Sequence, residues 1–196
     1  MRVTSALARK TPGASILNTS PIFFVRCVGP VVLRSQLARD IACLLDVDTS
    51  VSAWSCRSVT LRRGCDTHKP DLVVEREDDI LVIDVTSRST APHWVAEVAR
   101  DAGYVYSAMS RGDVDPINLR NARDLLKYVG TTVSLEDRIR LLASLDEHGS
   151  LTVAECMNAF RETRPIAGLA SLILERFVEV DLDALIGPET RVRRHG

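Results

Sequence analysis

The stretch that decides the fold is Lys69-Pro70-Asp71-Leu72-Val73-Val74-Glu75-Arg76-Glu77-Asp78-Asp79-Ile80-Leu81-Val82-Ile83-Asp84-Val85. Two runs rich in β-branched residues flank a short charged loop, which is the pattern of a β-hairpin. The second run is apolar on both faces and therefore predicts a central strand of a sheet. The hairpin carries Asp71 at the start of its first strand and Asp84 near the end of its second.

The segments on either side of this hairpin predict an α/β core. Before the hairpin, apolar residues recur at helical spacing between Ser35, a residue type that favours the helix N-cap, and Asp46. One or two short strands are expected between Val51 and Leu61. After the hairpin, the sequence predicts a helix over 94–103, a strand over 104–108 and a linking helix over 119–129.

From Leu135 onward the pattern changes to three short helices followed by two short β segments. The second helix is predicted over 153–162, and the third begins at Pro165, since proline favours the first turn. Three short helices with a terminal β-wing are typical of a winged helix-turn-helix. We therefore expect a basic N-terminal arm over residues 1–33, an α/β core over 34–130 and a winged-helix-like domain over 131–196.

Charge and composition narrow the function classes only partly. A net charge of −1 and 45% hydrophobic residues are ordinary for a globular protein. No acidic residue precedes Asp40, whereas six basic residues do: Arg2, Arg9, Lys10, Arg26, Arg34 and Arg39. A phosphate-neutralising arm or an organellar transit peptide would explain this pattern, and we favour the arm. The apolar run over 22–33 falls short of the roughly 20 residues of a membrane helix, so we expect a cytoplasmic protein without membrane contact.

The two aspartates of the hairpin have the chemistry that a metal-dependent phosphodiesterase needs. Such enzymes gather carboxylates around a divalent cation, because hard cations prefer oxygen ligands and the transition state gains negative charge. We expect Asp71 and Asp84 at one edge of the sheet, as ligands of Mg²⁺ or Mn²⁺, with Lys69 as a nearby cation. The alternative is structural, because an aspartate at a strand end often caps a loop or binds an arginine.

The order of these motifs resembles the TnsA-like endonuclease subunits of heteromeric bacterial transposases, which belong to the PD-(D/E)xK nuclease superfamily. The resemblance covers roughly residues 30–194 and rests on Ser35-Gln36-Leu37-Ala38-Arg39-Asp40, Leu44-Leu45, Asp48 through Val51, Lys69-Pro70-Asp71-Leu72-Val73-Val74 and Ile83-Asp84-Val85-Thr86. It implies a restriction-endonuclease-like core, metal-dependent DNA cleavage in transposition, and DNA and a transposase as partners. It also implies that the C-terminal domain could contact the protein partner.

Two positions depart from the motif of that family. The family has a glutamate, an aspartate, an acid or glutamine, and a lysine at the positions that match Ala38, Asp71, Asp84 and Thr86. The two departures remove a metal ligand and charge stabilisation. Asp40 faces nearly the opposite side of the helix from Ala38, so it is a poor replacement for the glutamate. Lys69, and less suitably Arg88, could replace the lysine. A metal-dependent DNA endonuclease and a catalytically inactive subunit that binds DNA or protein both stay open.

A third hypothesis is an unrelated regulator, for which Asp71 and Asp84 would lie far apart or on opposite sheet faces. His68 and His93 could assist a metal, although isolated histidines more often lie at surfaces. The predicted third helix offers almost none of the side chains that read base edges, which favours a core or protein-binding role. Arg191, Arg193 and Arg194 could contact phosphates without reading sequence.

Overall fold

A computed structural model describes residues 23–86 and 91–196. The helices are α1 (Gln36–Val47), α2 (Trp94–Asp101), α3 (Pro116–Leu126), α4 (Leu135–His148), α5 (Val153–Cys156) and α6 (Pro165–Leu174). The strands are β1 (Val51–Cys56), β2 (Leu61–Arg63), β3 (Asp66–His68), β4 (Leu72–Arg76), β5 (Ile80–Val85), β6 (Val105–Met109), β7 (Leu151–Thr152), β8 (Val178–Val180) and β9 (Arg191–Arg194). The predicted α/β class is confirmed. Residues 1–22 of the predicted basic arm and the candidate Arg88 lie outside the described residues.

The hairpin formed by β4 and β5 is the centre of a mixed four-stranded sheet. The strand order is β1-β4-β5-β6, in which β4 is antiparallel to both neighbours and β6 is parallel to β5. Strand β5 is central, as predicted, and its Leu81, Val82 and Ile83 are buried. Helices α1 and α3 cover one face of the sheet, while α2 and the β2–β3 hairpin cover the other.

Side-chain caps set where the helices of the core begin. The Ser35 hydroxyl accepts a hydrogen bond from the Ala38 amide at 3.0 Å, which confirms the predicted N-cap of α1. Asp115 accepts from the amides of Ile117 and Asn118, so α3 begins at Pro116 rather than at the predicted residue 119. A cap can therefore start a helix before its apolar periodicity becomes visible.

Part of the predicted N-terminal arm belongs to the core. The Val28 amide donates to the Trp54 carbonyl at 2.8 Å, and the Trp54 amide donates to the Arg26 carbonyl at 3.0 Å, so this segment runs along the edge of β1. The Phe24 ring packs edge-on against the Trp54 ring. The described part of the apolar run forms no helix, and no helix within 23–86 or 91–196 is long and apolar enough to cross a membrane.

Residues 135–194 form a smaller unit with its own apolar core. Its elements follow the order α4, β7, α5, α6, β8, β9, and its three strands pair in the order β7-β9-β8. Leu141, Leu145 and Leu172 are fully buried inside it. A Cβ atom added at Gly168 would lie 2.4 Å from the Phe160 ring, so the packing of this ring requires glycine there.

The predicted second helix of this unit is wrong in length. It was expected over 153–162, but α5 ends at Cys156 and only a 3₁₀ turn follows it. The amides of residues 161–163 instead donate to the carboxylate of Asp137 on α4. A tertiary hydrogen-bond acceptor therefore replaces the helical one for these amides.

Helix α6 joins the two units because it contributes to both cores. Leu169 and Leu172 pack in the C-terminal core, while Ala170 and Leu174 pack in the main core. The Arg26 guanidinium donates to the Leu174 carbonyl at 3.0 Å at the end of this helix. The predicted boundary near residue 131 therefore separates chain segments that remain packed together.

Candidate functional site

The two candidate aspartates meet at one edge of the main sheet. Strands β4 and β5 pair with Leu72 opposite Ile83, and continuing this antiparallel register by one residue places Asp71 opposite Asp84. Side chains that are opposite one another in an antiparallel pair project from the same face. The Asp71 carboxylate also accepts a hydrogen bond from the Val85 amide at 2.9 Å. A two-carboxylate site requires this placement.

An arginine holds the carboxylate of Asp71. The Arg34 Nε atom donates to Asp71 Oδ1 at 3.0 Å, and Arg34 Nη2 contacts the same oxygen. The Asp71 side chain is 12% exposed and that of Arg34 is 59% exposed, so the ion pair lies at the mouth of the site. Together with the Val85 amide, Arg34 supplies donors to both carboxylate oxygens of Asp71.

A histidine and a tyrosine hold the carboxylate of Asp84, which is buried. His68 Nε2 lies 2.7 Å from Asp84 Oδ2, and the Tyr106 hydroxyl donates to the same oxygen at 2.9 Å. Strand β3 carries His68, and the parallel strand β6 carries Tyr106. The His68 ring also meets Trp94 edge-on, with 6.4 Å between ring centroids. These contacts link β3, β5 and β6 through one carboxylate.

The pKa of the Tyr106 phenol is influenced by both carboxylates. Burial raises the pKa of its phenol most, and the hydrogen bond to Asp84 and the negative charges of Asp84 and Asp71 raise it further. The phenol therefore remains protonated at neutral pH and acts as a hydrogen-bond donor. Because both carboxylates influence one hydroxyl group, they belong to a single electrostatic site.

The other residues of the predicted motif stay apart from this pair. Lys69 is exposed and forms no hydrogen bond or ion pair with Asp71 or Asp84 within the described ranges. Ala38 is buried on α1, and the Thr86 amide donates to the Met109 carbonyl at 2.9 Å. Of the three candidate site residues, the structure brings the two aspartates together and leaves Lys69 at the surface.

Asp40 does not take the place of the missing glutamate, in agreement with its position on the helix. Its buried carboxylate accepts from Arg111 at 2.6 Å, from Arg123 at 2.5 Å and from Gln36 at 2.7 Å. Arg123 lies on α3 and Arg111 just before it. Asp40 therefore stabilises the packing of α1 against the α3 region.

The surroundings of Asp71 and Asp84 are poorly suited to binding a metal ion. Three of the four carboxylate oxygens of Asp71 and Asp84 already accept hydrogen bonds from groups of the chain. No group of three His, Cys, Asp or Glu side chains in the described parts of the chain is arranged to hold a metal ion. A cation bound between the aspartates would have to displace Arg34 and compete with His68. The residues present fit a closed hydrogen-bonded network better than an Mg²⁺ or Mn²⁺ centre.

Several basic residues lie close in sequence to the residues of this network. Arg62 and Arg63 are exposed on the hairpin that carries His68, and Lys69 directly follows that hairpin. The Arg57 amide donates to the Asp71 carbonyl at 3.1 Å, and its backbone has a φ of 51°, in the left-handed region. Such a group of cations can bind phosphates without reading bases.

Sequence reasoning missed Arg34 and Tyr106. Arg34 is only one of the basic residues before Asp40 in the sequence analysis and has no predicted role at the site, because its ion pair joins residues 37 positions apart. Tyr106 lies in a predicted strand, but only the parallel pairing of β6 with β5 brings its hydroxyl to Asp84. His68 was considered only as a metal ligand, and β3 was not predicted because three polar residues show no apolar alternation.

No protein-family model matches the chain, and the comparison with curated proteins finds no match. The resemblance to TnsA-like endonuclease subunits therefore stays a prediction.

Proposed function

We propose that the chain is a nuclease-fold subunit of a DNA-transposition assembly, which binds DNA and a protein partner without cleaving phosphodiester bonds. The observation that supports this most is the closed network at the sheet edge. Arg34 binds Asp71, while His68 and Tyr106 bind Asp84. In a metal-dependent nuclease, carboxylates at these positions would face the cation.

The energetics of the network also favour a non-cleaving role. Arg34, the Val85 amide, His68 and Tyr106 all contact the two carboxylates, and a metal would have to replace several of these contacts. Ala38 and Thr86 stand where the family has a glutamate and a lysine, so neither a further ligand nor a cation is supplied there. The site thus keeps the two aspartates, but the groups that contact them stabilise the folded state and do not take part in catalysis.

The arrangement of the elements is compatible with this lineage. One helix precedes the sheet, and another connects the parallel strands β5 and β6. In the C-terminal unit, three helices, a short strand after the first of them and a final pair of strands follow the order expected for a winged helix. We take both features as support for the proposed nuclease-like core and winged-helix-like unit.

The C-terminal unit is better suited to protein contact than to base readout. Its third helix, α6, is mostly buried between the two cores. The loop between β8 and β9 is held against α3 by Asn121, which donates to the carbonyls of Leu182 and Ala184 and accepts from the Ile186 amide. A winged helix normally presents these two elements to DNA. Here both make intramolecular contacts.

Contact with DNA is proposed at the basic side chains around the carboxylate network. Arg57 precedes the β2–β3 hairpin, Arg62 lies on it and Lys69 follows it, whereas Arg63 on the same hairpin pairs with Glu97. Phosphate contacts of this kind give binding that depends weakly on sequence and steeply on salt concentration. We expect duplex DNA to bind at low salt and to dissociate as the salt concentration rises.

A second candidate function is a metal-dependent DNA endonuclease, which the opposed register of Asp71 and Asp84 favours. In this alternative the two aspartates would hold Mg²⁺ or Mn²⁺, and Lys69 would supply the cation that the motif lacks. The metal would polarise the scissile phosphate and supply a bound water of lowered pKa. This alternative requires the Asp71 carboxylate to separate from Arg34. It also requires Lys69 to move towards the site.

Titration of Mn²⁺ by calorimetry, combined with a plasmid-nicking assay in Mg²⁺ and Mn²⁺, separates the two functions. For the wild type we expect DNA binding, no heat of metal binding and no nicking. The Asp71→Ala/Asp84→Ala double variant should behave in the same way. Metal-dependent nicking that Asp84→Asn abolishes, and that the exposed-site control Asp146→Asn retains, would overturn the proposal in favour of the endonuclease.

A further inference from the structure

A cleft of about 300 Å³ opens between the main core and the C-terminal unit. Helix α3 forms one wall, α5 and α6 form the other, and the loop that Asn121 holds closes one end. The cleft is lined mainly by apolar side chains, among them Leu125, Met157, Leu169, Ala170 and Ile173. It lies apart from the carboxylate network, which is on the opposite face of the main sheet from α3.

The rim of the cleft combines exposed apolar groups with positive charge. The side chains of Ile166 and Leu185 are 64% and 49% exposed. On the opposite wall, Asp124 is neutralised by Lys127, whose Nζ lies 2.6 Å from its carboxylate. Arg120 is exposed and forms no ion pair with any residue in the described ranges. The charged part of the rim is therefore positive overall.

We propose that this cleft docks an amphipathic helix of a partner protein, with bulky apolar residues on one face and carboxylates beside them. The proposal rests on the proposed function, in which the C-terminal unit acts through protein contact. An apolar floor flanked by exposed apolar side chains is the geometry of helix-in-groove recognition. A carboxylate of the bound helix pairs with Arg120, which fixes its orientation.

The chemistry of the cleft selects this occupant over nucleic acid. A phosphate backbone would gain little from a mostly apolar floor, and the positive charge of the rim is confined to one helix. A partner helix buries the floor and also covers Ile166 and Leu185, which remain in contact with water in the isolated chain. Burying this apolar area supplies most of the affinity, and Arg120 supplies the preference for acidic partners.

Binding of designed peptides tests the site directly. The probe is a fluorescent alanine-based peptide of about 15 residues with leucines on one helical face and glutamates beside them. A second peptide carries lysines in place of the glutamates, and a third has the glutamate version's composition in scrambled order. We expect the acidic peptide to bind about tenfold more tightly than either of the others at low salt, a difference of about 1.4 kcal/mol.

Two variants place the binding in the cleft. Ile166→Glu should weaken binding of the acidic peptide about tenfold, because it puts a charge on the apolar rim. Arg120→Glu should reverse the preference between the acidic and basic peptides. Ile139→Glu introduces the same group at a residue that is 56% exposed on α4 and is outside the lining of the cleft, so it should leave binding unchanged.

Equal binding of the three peptides, an equal loss in the Ile139→Glu control, or displacement of the acidic peptide by duplex DNA would each overturn the docking proposal. Such a result would leave the proposed function standing if the nicking assay remains negative. Metal-dependent nicking would instead contradict the proposed function, whatever the peptides do. The two failures are therefore distinguishable.

Discussion

Asp137 in the C-terminal unit and Asp84 at the edge of the main sheet are both buried carboxylates, but the chain satisfies them in different ways. Asp137 accepts hydrogen bonds from the backbone amides of residues 161–163, at 2.7 to 3.1 Å. Asp84 accepts from the side chains of His68 and Tyr106, and its neighbour Asp71 accepts from Arg34. Backbone donors leave only if the loop unfolds, whereas side-chain donors can rotate away. We therefore expect the loop that binds Asp137 to be held more firmly than the side chains around Asp84.

The electrostatics of Asp137 agree with a structural role. Burial alone would raise the pKa of its carboxyl group, but the hydrogen bonds from Arg161, Thr163 and Glu162 outweigh burial and hold the pKa below its ordinary value of 3.8. The charged carboxylate is therefore the form that the folded loop stabilises.

The largest expected effect is the loss of this carboxylate. Asp137→Ala leaves three backbone amides and the Nη2 atom of Arg140 without their acceptor. We expect the free energy of unfolding, measured by urea denaturation, to fall by about 3–5 kcal/mol. The control Asp146→Ala removes an exposed ion pair with Arg194 and should cost about 0–1 kcal/mol. Equal losses in the two variants would remove the contrast between fixed and exchangeable carboxylates.

The same carboxylate should make the protein sensitive to acid. Because the pKa of Asp137 is lower in the folded state, its stabilising contribution is present above about pH 4 and is lost as the pH falls through the folded-state pKa. Urea denaturation at a series of pH values should show the advantage of the wild type over Asp137→Asn shrinking below about pH 4. If the difference in the free energy of unfolding between the wild type and Asp137→Asn did not change down to the lowest pH, the ionised carboxylate would not be the stabilising form.

A smaller loss of stability is expected from overpacking the core of the C-terminal unit. Gly168→Ala places a methyl group against the buried Phe160 ring, and overpacking of this kind costs about 1–3 kcal/mol. Thermal and urea denaturation would measure the loss. Gly187→Ala is the matched control, because a Cβ atom there meets nothing closer than 4.0 Å. A stable Gly168→Ala variant would show that Phe160 can repack and that the unit is less fixed than we infer.

At the sheet edge, removal of one donor should be tolerated better. Tyr106→Phe deletes the hydroxyl that donates to Asp84, but His68 still contacts the same carboxylate oxygen. We expect a loss of about 1 kcal/mol in the free energy of unfolding. Tyr104→Phe is the control, since that hydroxyl has no hydrogen-bond partner in the described segments. A loss as large as that of Asp137→Ala would make the two regions equivalent.

The smallest effect on stability, and the most informative one about function, is expected at Arg34. Arg34→Gln breaks an ion pair whose basic partner is mostly exposed, so the free energy of unfolding should change by less than about 1 kcal/mol. The change should let Mn²⁺ bind weakly between the aspartates, with a dissociation constant of about 1 mM by calorimetry. Adding Asp71→Asn should abolish that binding. A large loss of stability, or no metal binding in Arg34→Gln, would show that Arg34 does not simply occupy the place of a cation.

Some parts of this structure follow from neighbouring residues alone. The amphipathic spacing and Ser35 predicted α1, the two β-branched runs predicted the β4–β5 hairpin with β5 at its centre, and Pro165 marked the start of α6. These signals act over a few positions along the chain, through side-chain periodicity, helix caps and the fixed φ of proline. The sequence by itself therefore determined the class of the fold and the opposition of Asp71 and Asp84.

Only the tertiary structure decided which groups those aspartates contact. The Arg34–Asp71 pair joins residues 37 positions apart, and the two arginines that hold Asp40 lie 71 and 83 positions away from it. The amides of Arg161 and Glu162, which the sequence predicts to be helical, likewise donate to Asp137 on another helix. A buried charge takes its partner from whichever segment packing brings within about 3 Å, and no local pattern encodes that choice.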